Sequence, residues 1–137
     1  MKKGKLLGKG VTRKVYEHPE NKNYVIKESI GPIKEDKENR LYGSNKREWE
    51  AWLYIKDSKY EKYFCPCIEL LDEGLYLIME RAIKTTKKVN LPKELSCIKD
   101  IDIRPCNCGE LNGRIVIIDY GHSKIKNLFK LNLKTKD

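Results

Sequence analysis

The sequence predicts an α+β fold, with an antiparallel sheet and one long helix first and a smaller second part after it. Three observations predict it. Residues 6–16 read as strand, glycine turn and returning strand, and Tyr24-Val25-Ile26-Lys27 reads as a third strand. Trp49, Trp52, Leu53 and Ile55 share one face at helical spacing. Asn112-Gly113 stands between the strand-like runs 108–111 and 114–118, the strongest short-range hairpin signal.

The elements follow in order. Within 6–16 the turn falls on Gly8-Lys9-Gly10, and Val15 and Tyr16 give the returning strand β-branched and aromatic character. Asn21-Lys22-Asn23 is a turn signal before the third strand. Residues 30–42 form a polar connection that carries Gly and Pro. Ser44 or Asn45 is expected to cap a helix running to about Lys56. Residues 68–71 and 75–79 read as two strands joined across Asp72-Glu73-Gly74, and 81–88 as a basic, loop-like crossing. Asn90-Leu91-Pro92 opens a second helix, with Leu91, Leu95 and Ile98 at helical spacing and an end near Asp100. The tail from Ser123 carries Ile125, Leu128, Phe129, Leu131 and Leu133 among lysines, the pattern of an amphipathic helix.

The chain has 137 residues, 39% hydrophobic and 36% charged, which suits one domain with a core of its own. Its net charge of +9 favours anionic partners such as nucleotides, or simply a well-solvated surface. No block of Lys or Arg interleaves with aromatics, so a nucleic-acid groove is not signalled. No run approaches membrane-spanning length and the N-terminus has no long apolar signal core, so a cytoplasmic protein without membrane contact is expected. The five cysteines include two Cys-x-Cys pairs (Cys65 and Cys67, Cys106 and Cys108), with Cys97 left over. Zinc sites favour wider spacing, so free thiols are the preferred reading.

The chemistry-bearing residues lie late in the chain. Asp102 and Asn107 stand in Asp102-Ile103-Arg104-Pro105-Cys106-Asn107, and Asp119-Tyr120-Gly121 follows a short apolar run. Three oxygen-bearing side chains at this spacing suit the holding of a Mg2+-nucleotide beside a phosphoryl acceptor. Earlier, Leu7-Gly8-Lys9-Gly10 precedes Val15, and Lys27 closes the third strand. Glycine lets backbone N–H groups approach phosphate oxygens closely. On the first helix, 100° per residue puts Glu48 within the arc of Trp49, Trp52 and Ile55, with Glu50 opposite. An acid on an apolar face needs a cation, so Glu48 is the better candidate for a buried ion pair.

Taken in order, these motifs resemble the protein-kinase-like superfamily, and the chain is similar to the short kinase-like proteins of phages and bacteria. The resemblance runs from about Leu6 to Gly121. It implies a single minimal kinase-like domain over 1–137, with an N-terminal lobe of about 1–80 and one αC-type helix. A strongly reduced C-terminal lobe over 81–137 would carry the catalytic loop, Asp119-Tyr120-Gly121 and the tail. Gly8, Gly10 and Val15 would cover the nucleotide, Lys27 would pair with its phosphates, and Glu48 would orient Lys27. Met79 would stand behind the base, with Glu80 to Ala82 as the hinge. Asp102 would be the catalytic base, Arg104 would take the place of the usual lysine, and Asn107 and Asp119 would bind Mg2+.

The implied activity is ATP- and Mg2+-dependent transfer of a γ-phosphoryl group to a hydroxyl acceptor. The alternative is a catalytically silent binding module acting on a partner protein. Departures from the pattern limit it. Arg13 stands at the third glycine position, to contact phosphate or to point to solvent. Asp100-Ile101 replaces His-Arg, and no Ala-Pro-Glu follows Gly121, so a peptide-docking platform is not expected. A protein partner or a second copy would then complete the small lobe.

Overall fold

The structure is a computed structural model that describes residues 1–30, 43–96, 98 and 101–121. It is a mixed α+β fold with two antiparallel sheets and, among the described residues, two α-helices. The chain divides into two compact units. The first is Met1–Trp49 with Cys67–Arg81, and the second is Glu50–Pro66 with the chain from Ala82 onward.

The first unit is built on a five-stranded sheet. Its strands are β1 (Leu6–Lys9), β2 (Arg13–Glu17), β3 (Tyr24–Ser29), β4 (Cys67–Leu71) and β5 (Tyr76–Glu80), in the order β1-β2-β3-β5-β4. Successive residues of a strand point to opposite faces, so each register fixes which side chains are neighbours. On one face Ile26, Tyr76 and Ile78 form a core, with Tyr16, Tyr24, Leu71 and Leu75 packed against it. Lys3 edges this core: its ammonium lies 4.9 Å from the Tyr16 ring centre and donates to Glu28 at 2.9 Å. The other face faces helix α1 (Gly43–Ile55) through Arg13 and Lys27, which meet Glu48 of that helix.

Two turns shape this unit. The first does not sit on Gly8-Lys9-Gly10. Gly8 and Lys9 are strand residues paired with Val15 and Lys14, and the loop is Gly10-Val11-Thr12, closed by the Gly10 amide donating to Arg13 O at 2.8 Å. The ladder continues one residue past the first glycine, to Lys9, because Gly8 fits a strand as well as a turn. The second turn, Asp72-Glu73-Gly74, has positive φ at all three residues (49°, 57° and 104°) and presents the carbonyls of Gly74 and Leu75 to α1.

The second unit holds β6 (Ile83–Lys84), α2 (Lys93–Ser96), β7 (Cys108–Leu111) and β8 (Arg114–Ile117), with sheet order β6-β7-β8. Asn112 and Gly113 have φ of 52° and 81°, the positive pair that a two-residue hairpin of matching twist demands. Gly109 is obligatory for a different reason. A Cβ there would lie 2.6 Å from that of Ala82, where β6 crosses β7. Phe64 bridges Ile117 in parallel, and the Cys65 amide donates to Ile117 O at 2.9 Å, so residues 64–65 extend the sheet past β8. Phe64, Leu95, Val116 and Ile117 are fully buried.

Several expectations change. The crossing 81–88 is not all loop, since Ile83 and Lys84 pair with Glu110 and Gly109. Among the described residues the second helix spans Lys93–Ser96, after Pro92, whose carbonyl accepts from both Leu95 and Ser96. Its expected end at Asp100, Cys97, the connection from residue 31 to 42, and the tail from Ser123 lie outside the described residues. No helix among the described residues is long and apolar enough to cross a membrane.

Candidate functional site

Helix α1 buries a stripe that is half polar. Ser44, Asn45, Glu48, Ala51, Trp52 and Ile55 are buried, while Leu53 is exposed and Trp49 only half-buried. The buried arc is therefore turned toward the N-terminal polar residues relative to the apolar face read from the sequence. Ser44 and Asn45 do not serve as caps. The Ser44 hydroxyl donates to Thr12 Oγ1 at 3.1 Å, at the tip of the β1–β2 hairpin. The Asn45 amide nitrogen donates to the carbonyls of Lys27, Gly74 and Leu75 at 3.0, 2.9 and 3.1 Å. Asn45 thus fastens the helix to the backbone of β3 and to the turn before β5.

Glu48, with no solvent exposure, sits between two cations. Its Oε1 accepts from Lys27 Nζ at 2.7 Å and from Arg13 Nη1 at 2.8 Å. Both cations are themselves buried, at 5% and 7% exposure. Burial alone would push the Glu48 carboxyl up, but the charges and hydrogen bonds of Arg13 and Lys27 outweigh it and hold the group well below the usual carboxylate range. Glu50 is half-buried on another side of the helix. Arg13 neither points to solvent nor stands ready for a phosphate, the two roles the sequence offered it. Its guanidinium turns to Glu48 and to Asn45 Oδ1, the latter at 3.2 Å.

The register of the sheet gathers the other early candidates. Gly8 pairs with Val15, Val15 with Lys27, and Lys27 with Leu77, so Gly8, Val15 and Lys27 form one cross-strand row. The adjacent row runs Glu17, Val25, Met79, Cys67, which places Met79 two positions along the same face. Gly10 lies in the hairpin loop beyond the row. Glu80 ends β5 opposite Tyr24, and Ala82 opens the later segment of the second unit.

The late candidates lie in the second unit. Asp102 is gripped by Arg104 in a fork: Nε donates to Oδ1 at 2.9 Å and Nη2 to Oδ2 at 2.7 Å, with the Arg104 amide also on Oδ1 at 3.0 Å. These bonds hold the Asp102 carboxyl below its ordinary range, against a smaller opposing effect of burial. The Arg104 side chain is 75% exposed. Asn107 sits at the centre of the loop, at 9% exposure. Its amide nitrogen donates to the carbonyls of Asp102 and Asp119, both at 2.7 Å. Two carbonyl partners decide which way this amide faces and leave Oδ1 as its acceptor. Among the described residues nothing donates to that oxygen.

Asp119 is exposed and held on both sides. Before it, the Ile118 amide donates to Asn107 O at 3.0 Å. After it, Tyr120 is buried, packs edge-on against Phe64 at 5.1 Å and donates its hydroxyl to Cys65 O at 2.7 Å. Tyr120 thus fixes the backbone that presents Asp119.

No protein-family model matches this chain, and no curated protein matches it.

Among the described residues no three His, Cys, Asp or Glu side chains cluster to hold an ion. Burial pushes the Cys108 thiol up, away from reactivity. A Mg2+ ion needs no such cluster, because it takes one or two protein ligands and completes its shell with phosphate and water. The buried Asn107 Oδ1, to which nothing donates among the described residues, lies beside the Asp119 backbone and fits that demand. Sequence reasoning missed Arg13, Asn45 and Tyr120 as parts of the arrangement. Asn45 was findable, since it stands three residues before Glu48 on the stripe that continues through Trp52 and Ile55.

Proposed function

We propose that this protein is a compact protein-kinase-like phosphotransferase that binds ATP with Mg2+ and transfers the γ-phosphoryl group to a hydroxyl acceptor. The observation that carries the reading is the buried ion pair of Lys27 and Glu48 at 2.7 Å, in the same cross-strand row as Gly8 and Val15. A fully buried carboxylate that fixes a strand lysine is a device for aiming an ammonium group at an anion.

In this reading the Gly8 backbone and Lys27 bind the phosphates, and Met79 with Glu80 to Ala82 receives the base. Asn107 Oδ1 and Asp119 would hold Mg2+, which supplies charge neutralisation on the phosphate oxygens. Asp102, ionised, accepts a hydrogen bond from the acceptor hydroxyl and orients its oxygen. That oxygen forms a bond to the γ-phosphorus as the bond from phosphorus to the bridging oxygen breaks, ADP departs, and the hydroxyl proton passes late in the step to Asp102 and from there to solvent. Arg104 offers its guanidinium to the charge on the transferring group. Most of the rate enhancement is then positioning and charge neutralisation.

Asp119→Asn is expected to abolish transfer of label from γ-labelled ATP while circular dichroism stays unchanged. Full transfer by this variant would remove the metal assignment. A second reading, a silent binding module, has one observation in its favour: the Arg104 fork already occupies both Asp102 oxygens. Incubation with labelled ATP and Mg2+, alone and with lysate, separates the two. Tight ATP binding without transfer to any acceptor would select the module.

A further inference from the structure

We propose that Arg13 is a positioning residue for Lys27: it keeps Glu48 ionised and in place, so that Lys27 can turn to a bound phosphate without abandoning a buried carboxylate. The proposal rests on the nucleotide-binding reading. Arg13 opens β2 opposite Ser29, and Lys27 of β3 stands opposite Val15. The two are therefore diagonal neighbours on one face of the sheet. Both donate to the same oxygen, Glu48 Oε1, at 2.8 and 2.7 Å. Asn45, three residues earlier on α1, accepts from the same Arg13 nitrogen at 3.2 Å and is itself tied to three carbonyls. The guanidinium is thus held from two points of one helix.

The chemistry explains why a second cation belongs there. A single ammonium shared between a carboxylate and a phosphate must divide its three protons between them. Any withdrawn from Glu48 would leave a charge uncompensated in a site without solvent, which is heavily penalised. Arg13 on the same oxygen removes the conflict. Its rigid fork also suits the task better than a second flexible ammonium.

Two measurements test it. The first needs no nucleotide. In Lys27→Met the Glu48 carboxyl carbon, followed by NMR, is expected to remain that of an ionised group at pH 6. A protonated Glu48 there would overturn the proposal. The second is the affinity for a fluorescent, non-hydrolysable ATP analogue with Mg2+, in variants whose fold is checked by circular dichroism. R13M is expected to weaken binding about tenfold or more, R13K to stay within about threefold, and R13M added to E48Q to cost less than about twofold. Equal losses from R13M in both backgrounds would make Arg13 a direct phosphate ligand and overturn the proposal. Unchanged affinity in a folded R13M would overturn it as well, while the nucleotide reading stands. A wild-type protein that does not bind the analogue would instead fail the nucleotide reading, with the Glu48 measurement still deciding what Arg13 does. Should R13M not fold, R13K and the Lys27→Met measurement carry the test.

Discussion

Gly8 has no structural obligation to be glycine. A Cβ built on it meets nothing within 4 Å, and its φ is not among the positive values of the chain. Glycine within a strand costs about 0.5–1 kcal/mol relative to alanine, so the fold alone gives no reason for it. Close approach of a ligand to the backbone gives one. Gly8→Ala is therefore expected to leave the melting temperature unchanged or slightly raised while weakening Mg2+-ATP binding in calorimetry. A variant that binds as tightly as the wild type would reduce Gly8 to an ordinary strand residue. Asp102 shows the opposite situation, a side chain with obligations already. Held below its ordinary range by the Arg104 hydrogen bonds, it is a poor early proton acceptor and a good orienting group.

Helix α1 is held by charge as much as by apolar contact. Its Glu48 carboxyl titrates below its unfolded value, so the ionised form stabilises the fold above pH of about 4–5, and that contribution drains away on further acidification. Glu48→Gln is expected to unfold about 3 kcal/mol more easily at pH 7, because it strands Arg13 and Lys27 without their counter-charge. The gap should narrow toward pH 3. Denaturant titrations at both pH values check this, and a gap that stays constant would mean Glu48 does not carry the charge. The helix also shows where legibility ended. Its existence and the inward direction of Glu48 were readable from spacing, because apolar residues and an acid fell on one arc. Leu53 was misplaced because hydrophobicity alone set that arc, whereas Asn45 and Glu48 turn it toward the sheet. Arg13 was unreadable as a partner, since its acceptor lies 35 residues away and only the β2–β3 register brings them together. The β7–β8 hairpin was legible because Asn112-Gly113 encodes its own geometry.

At the level of the whole molecule, nucleotide binding should appear as stability. If Mg2+-ATP binds only the folded chain, a ligand at a hundred times its Kd adds about 2.7 kcal/mol, on the order of 10 °C in melting temperature for a chain this size. Scanning calorimetry with Mg2+-ATP, with Mg2+ alone and with ATP plus chelator checks it, and no shift at millimolar Mg2+-ATP would sink the nucleotide reading. The sequence conveyed most of the strands, because Gly10, Asn23, Asp72, Asn112 and Gly113 mark where β1, β3, β4, β7 and β8 begin or end, whereas β6, flanked by Ala82 and Thr85, had no such mark. It did not convey that residues 50–66 join the chain from Ala82 onward in a unit of their own. That grouping depends on Phe64 and Cys65 pairing with Ile117, a contact between distant segments that no local pattern announces. The chain has two tryptophans, and both, Trp49 and Trp52, stand on α1 within one turn of Glu48. The tryptophan emission of the protein, excited at wavelengths that tyrosine does not absorb, thus comes from this helix, so a change in how α1 is seated would alter the colour and yield of that light without any added dye.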